Sequence, residues 1–171
     1  MHLPVISVDN HAALVRLHGA VDTLTAPLVA QHASRLRCKR GCSACCVDEL
    51  TVFALEAARI ASRHPELLAH GTPHPEGACA FLDAQGACRI YADRPYVCRT
   101  QGLPLRWLEK QEGRVVELRD ICELNSEGPP ITDLSAEQCF TLGPVEERLR
   151  ALAGEAGADQ RIALRKLFAR G

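Results

Sequence analysis

Apolar and polar residues alternate along this chain in blocks that read mainly as helix. A short apolar start at Pro4–Val8 leads to Asp9 or Asn10, either of which can cap a helix. His11 to Arg37 then reads as one or two helices, with Pro27 suited to the first turn of a second. Gly41 permits a tight turn within Cys38–Cys46. Thr51 can cap a helix running to about Arg63, with Phe53, Leu55 and Ile60 as its apolar residues, and Pro65 ends or restarts it. His70–Gly77 carries Pro73 and Pro75 and reads as loop.

The pattern changes to strand after that loop. Cys79 to Tyr91 predicts a β-hairpin turning at Asp83–Gly86, and Arg94-Pro95 begins a tight turn towards Cys98. Leu105–Glu109 and Val115–Leu118 predict a second hairpin around Glu112-Gly113. Glu127-Gly-Pro-Pro130 is a break, and Ala136–Leu142 is helix-like. Pro144 to about Leu152 and Asp159 to about Ala169 read as helices, the last with Leu164, Leu167 and Phe168 on one face. The expected fold class is α+β: a mostly helical single domain with small β-hairpins, organised around a cysteine-ligated metal site. Its expected parts are a helical segment 1–37, a cysteine-cluster core 38–125 and C-terminal helices 126–171.

Composition changes this picture little until the cysteines are counted. The 171 residues suffice for one buried core, and an aromatic share of 4% leaves alanine and leucine to fill it, which favours helix. A net charge of -1 gives no reason to expect nucleic acid as a partner. The N-terminus lacks a basic and then apolar leader, and no run of about 18 apolar residues predicts a membrane span. The expectation is a cytoplasmic protein with no membrane partner, where disulfides seldom persist.

Nine cysteines then dominate the chemistry. Cys38, Cys42, Cys45 and Cys46 put four thiols within nine residues. Thiolates are soft anionic ligands for zinc, copper(I) and iron–sulfur clusters. The odd count and the adjacent Cys45 and Cys46 fit a disulfide framework poorly. Successive α-carbons lie about 3.8 Å apart with diverging side chains, so that pair serves two metals, or two irons of one cluster, more easily than one ion. Cys79 and Cys88 would face each other across the first hairpin, Cys98 follows the Arg-Pro turn, and Cys122 follows the second hairpin.

The expected ligand set is therefore Cys38, Cys42, Cys45, Cys46, Cys79, Cys88, Cys98 and Cys122, enough for two four-cysteine sites. Cys139 reads as a small buried hydrophobe. Arg37, Lys39, Arg40, Arg89 and Arg99 lie within two residues of a cysteine and could offset a site charge of about −2. Arg94 and Arg99 are the candidates for contacts that tune a bound cofactor. His2, His11, His18, His32, His64, His70 and His74 lack paired ligand spacing, although His70 and His74 could approach each other. No phosphate-binding glycine loop is present.

The Cys38–Cys46 run resembles the YkgJ-like cysteine-cluster family, a zinc- or iron-chelating domain of CxxxCxxCC type. Cys79-Ala-Phe-Leu82, Cys88-Arg-Ile-Tyr-Ala-Asp-Arg-Pro-Tyr-Val-Cys-Arg99, Gln101-Gly-Leu-Pro-Leu105 and Cys122-Glu-Leu-Asn125 carry the same resemblance, which spans about residues 38–125. It implies metal chelation by the eight cysteines, through an iron–sulfur cluster (4Fe–4S) or zinc. Redox or electron-transfer work would follow from iron–sulfur, and a protein partner is an open expectation. Flagellin lysine methylases carry a similar segment, which makes a metal-dependent enzyme the alternative. Cys38-x3-Cys42-x2-Cys45 also matches the radical S-adenosylmethionine spacing, but Ala44 replaces the usual aromatic, Cys46 crowds the site and the chain is short. Metal trafficking or storage is the third reading.

Overall fold

A single 24-residue helix, α1 (Val8–Gln31), forms the backbone of the fold in this computed structural model, which describes residues 3–168. Ser7 caps it, its hydroxyl accepting from the Asn10 amide at 3.2 Å, so the chain turns helical earlier than Asp9 or Asn10 would have required. Pro27 does not start a second helix; it lies inside α1. Its ring stands on the exposed face, where water can satisfy the carbonyl that loses its amide partner. Leu14, Leu17, Val21, Thr25 and Leu28 line the buried face.

Thr51 does not cap a helix. Thr51–Phe53 is strand β1, paired antiparallel with the C-terminal strand β5 (Arg161–Ala163) in the register Val52↔Ile162. The expected helix Asp159–Ala169 is thus replaced by β5 and a 3-10 turn at Leu164–Leu167, and Ala169 lies outside the described residues. The apolar spacing of Leu164 and Leu167 still buries both, because three residues also make one 3-10 turn. Helix α2 (Ala54–Arg63) follows β1, and Pro65 opens α3 (Pro65–His70).

The Asp83–Gly86 turn forms as expected, with the Asp83 carboxylate accepting from the amides of Gln85 and Ala87. Its flanks pair only at one bridge, Leu82↔Cys88, rather than as a full hairpin. The ladder cannot lengthen, because the Cys79 amide donates to Cys46 C=O and Tyr91–Asp93 coils into a 3-10 turn. Cys98 lies on α4 (Tyr96–Thr100).

The second hairpin joins β2 (Leu105–Gln111) to β3 (Arg114–Asp120). Glu112 and Gly113, at φ 50 and 80, make the two-residue loop whose twist suits such strands. Strand β4 (Phe140–Thr141) adds parallel to β2. It interrupts the helix-like reading of Ala136–Leu142, which divides into a 3-10 turn and β4 and ends at Leu142, the residue before α5 (Gly143–Glu155). The described residues therefore mix helix and sheet over one core containing Leu14, Leu55, Phe81, Leu149 and Leu164. Among them no helix is long and apolar enough to cross a membrane.

One buried carboxylate ties three helices together. Glu56 on α2 is 2% exposed; its Oε1 accepts from the Tyr96 amide at the start of α4 and meets His18 Nε2 of α1 at 3.0 Å. Glu56→Ala would strand both partners in a dry interior, each at about 1–3 kcal/mol. Urea unfolding should show a loss of about 2–4 kcal/mol, with Glu56→Gln, which keeps an acceptor, losing less.

Candidate metal centre

Local hydrogen bonding, not regular structure, shapes the cysteine run. The Cys42 amide donates to Lys39 C=O and the Cys46 amide to Ser43 C=O, giving two successive turns. Gly41, at φ +86, lets the first turn close and lie against the Asp83–Gly86 turn; a Cβ there would stand 3.2 Å from Gln85 C=O. The 2.8 Å bond from the Cys79 amide to Cys46 C=O then joins the run to the next cysteine segment.

Asn125 closes the other side. Fully buried, it receives the Arg37 amide on Oδ1 at 2.7 Å and donates from Nδ2 to Gly102 C=O at 2.8 Å and to Cys38 Sγ at 3.3 Å. The Asn125 amide in turn donates to Cys122 C=O. Gly102 has φ +91, and a Cβ on it would lie 2.5 Å from Cys38 Sγ. These contacts place Cys38, Cys122 and the Gln101–Leu105 stretch side by side, and explain why the quoted motifs need Asn125 and Gly102.

All nine cysteines are free thiols. Hydrogen bonding from Cys46 lowers the Cys45 thiol to about 6, and the same contact raises that of Cys46, with burial and the charges of Cys45, Cys79 and Cys98 adding to the rise. Burial pushes the Cys98 thiol up, and Cys79 and Cys88 push it further. Burial likewise raises Cys79 and Cys88. Cys122 is raised by burial and then by Cys45, Cys38 and Cys42.

These mutual influences sort the eight thiols. Electrostatic influence of one thiol on another links Cys46, Cys79, Cys88 and Cys98, called here the inner group, and links Cys122 with Cys38, Cys42 and Cys45, the outer group. The seam is Cys45–Cys46, with Cys45 also reaching Cys98. Backbone amides of Phe81, Ile90 and Leu124 donate to the sulfurs of Cys79, Cys88 and Cys122, each two residues earlier. Such donors favour the thiolate, the form that binds metal. The donor set thus suits a soft thiophilic metal. Among the described residues no three thiol, imidazole or carboxylate groups stand close enough together to hold a single ion.

Positive charge reaches the inner group from Arg89, Arg94 and Arg165. Arg89 and Arg165 counter the rise at Cys79, and Arg94 and Arg89 that at Cys88. Arg94 also stacks at 4.1 Å on the Tyr91 ring. Arg99 is committed elsewhere: its nitrogens donate to Arg94 C=O, Ala92 C=O and the Asp22 carboxylate. Arg165 donates to Asp48 and to the carbonyls of His74, Pro75 and Ala78, holding the proline-rich loop beside Cys79. Arg165 carries no sequence signal, because it falls within a stretch that reads as ordinary helix.

Histidines serve the frame. His18 pairs with Glu56, His64 with Asp93, His70 with Glu66, and His32 meets Gln138 C=O at 2.7 Å. The His74 amide donates to Ala80 C=O, and His2 lies outside the described residues. Cys139 is buried apart from the other thiols, and the charges reaching it are those of Arg119, Arg106, Glu117 and Arg35.

Comparison with known families meets this geometry directly. The CxxCxxCC family model, described as a putative zinc- or iron-chelating domain, matches residues 37–123, which is half of the chain. The chain belongs to this family. The matched stretch takes in all eight clustered cysteines of this CxxCxxCC protein, which has three residues rather than two between Cys38 and Cys42. No curated protein and no solved structure matches the chain.

Asn125→Ala leaves three hydrogen-bond partners unmet at a dry position, and urea unfolding should register a loss of about 3 kcal/mol. Gly102→Ala adds a side chain at positive φ against the Cys38 sulfur and should cost at least about 1 kcal/mol by the same measurement.

Proposed function

We propose that this protein is a thiolate metal protein with two four-cysteine centres. Cys46, Cys79, Cys88 and Cys98 supply the inner one, and Cys38, Cys42, Cys45 and Cys122 the outer. The sorting of the eight thiols on either side of the Cys45–Cys46 seam carries this reading. Each cysteine has one side-chain torsion, so rotation about χ1 is the motion available to close a quartet on its metal. Residues 38–125 act as the metal-binding core, and the flanking segments pack around it.

The fit is to iron–sulfur clusters or zinc, each of which takes four thiolates. Bound zinc would brace the fold, since four sulfurs leave no position for water; iron–sulfur would add one-electron chemistry. The chain's own residues do the rest. The amides of Phe81, Ile90 and Leu124 stabilise sulfur charge, and the Asn125 side chain donates to Cys38. Arg94 and Arg89 supply positive charge beside Cys88, while Arg99 fixes the Arg94 loop to α1. Arg94 therefore tunes the centre directly and Arg99 through its position. With all eight clustered thiols engaged, the reading favours holding metal, and electrons in the iron–sulfur case, over catalysis.

Metal and acid-labile sulfide analysis of protein purified without oxygen tests the reading. Two metal centres per chain are expected, either as zinc without sulfide or as iron with near-equal sulfide. Cys45→Ser and Cys46→Ser should each lower metal content and stability, because metal binding contributes folding free energy. Cys139→Ser should leave metal content unchanged; loss of metal in that variant would contradict the eight-ligand assignment.

A further inference from the structure

Helix α1 is apolar on two opposite faces. One lies on the core through Leu14, Leu17, Val21 and Leu28. The other carries Val8, Ala12, Val15, Gly19, Thr23, Ala26 and Ala30, where a surface helix ordinarily places its charges. Ala12 is half-buried and the other six are exposed, Val8 at 83% and Val15 at 45%. Thr23, the one polar side chain among them, spends its hydroxyl on Gly19 C=O at 3.0 Å. A Cβ on Gly19 would meet nothing within 4 Å, so no described residue lies over the middle of this face. The charged residues Asp9, Arg16 and Asp22 stand at its flanks, and Asp22 is already paired with Arg99 at 2.6 Å.

The stripe has a symmetry of its own. Its residues follow one another at spacings of four, three, four, four, three and four, the same read from either end. Eleven residues make close to three helical turns, so the stripe keeps to one face along the whole helix. Gly19 is its midpoint. A second copy laid antiparallel, with the two-fold axis at Gly19, sets Val8 opposite Ala30, Ala12 opposite Ala26 and Val15 opposite Thr23. With no side chain at the axis and alanines on either side of it, two such helices can approach to about 8 Å.

We propose that this face binds a second copy of the chain, α1 against α1, in a two-fold antiparallel dimer. The stripe is about 33 Å long. Exposed Val5, Leu24 and Val29 border it and widen the apolar patch to about 500 Å² per copy, or about 1,000 Å² in all, the lower bound for a specific interface. The dimer is therefore reversible rather than obligate. An uncharged face that matches itself about its own midpoint fits a copy of the same chain better than a partner recognised by charge. The pairing uses no cysteine and is independent of metal binding.

Sedimentation of the full chain with reductant present tests this, over about 5 to about 500 μM, a range that brackets micromolar dissociation constants. Wild type should move from 18.6 kDa towards twice that mass as concentration rises. Gly19→Glu sets a carboxylate on the axis against its copy and should raise the dissociation constant at least about tenfold. Its urea transition at low concentration should be kept or strengthened, since glycine is the poorer helix former. Val15→Glu should weaken the dimer in the same way. Val15→Glu/Thr23→Lys should restore it, because the antiparallel register brings each new carboxylate beside the new ammonium of the other copy. A single 18.6 kDa species across the range would overturn the proposal, as would a dimer that Gly19→Glu leaves intact. A double variant that associates no better than Val15→Glu would overturn the antiparallel pairing.

Discussion

Sulfur charge gathered into a small space is the constraint that organises this molecule. Eight thiols lie on neighbouring segments, and the charge of one raises the thiol of another at Cys46, Cys88, Cys98 and Cys122. Burial pushes in the same direction, which is why Cys79, Cys88, Cys98 and Cys122 are all held above the ordinary thiol range. Amides aimed at three of the sulfurs and guanidinium groups beside the inner quartet offset part of this cost. A thiophilic cation would offset far more, since it neutralises several thiolates at once.

Holding such a cluster demands a frame that does not itself depend on long stretches of regular structure. The frame is a set of polar clamps. Glu56 fixes α1 and α4 on α2, and Asp93 takes Arg59 and His64, fixing the stretch before Cys98 to α2 and α3. Arg35 reaches from the end of α1 to three carbonyls at Ser126–Pro129, and Arg165 holds the loop before Cys79. Each clamp joins residues far apart in sequence, so the irregular segments bearing cysteines are fastened at both ends.

Much of this was legible in the sequence where the signal was local. The Glu112-Gly113 hairpin, α5 and the Asp83–Gly86 turn follow from turn residues and spacing that need no distant partner. The errors arose where tertiary pairing overrode local preference. Thr51–Phe53 reads as a helix entrance until β5 is there to pair with it, and the Leu164–Leu167 spacing suits a 3-10 turn as well as an α-helix. Pro27 leaves one helix or two open in the sequence, and packing decides for one, since an exposed proline late in a well-packed helix is tolerated. The family was readable because its motif is a spacing of reactive residues. Asn125 was visible in that motif, but its grip on Cys38 and Gly102 was not, since nothing in sequence brings residues 38, 102 and 125 together.

X-ray absorption at the edge of the bound metal measures the central claim most directly. Full thiolate quartets require four sulfur neighbours around each metal, at about 2.3 Å if it is zinc, and no nitrogen or oxygen neighbour. A spectrum fitted by sulfur alone is the result the account predicts. Fewer than four sulfurs per metal, with nitrogen or oxygen completing the shell, would contradict it.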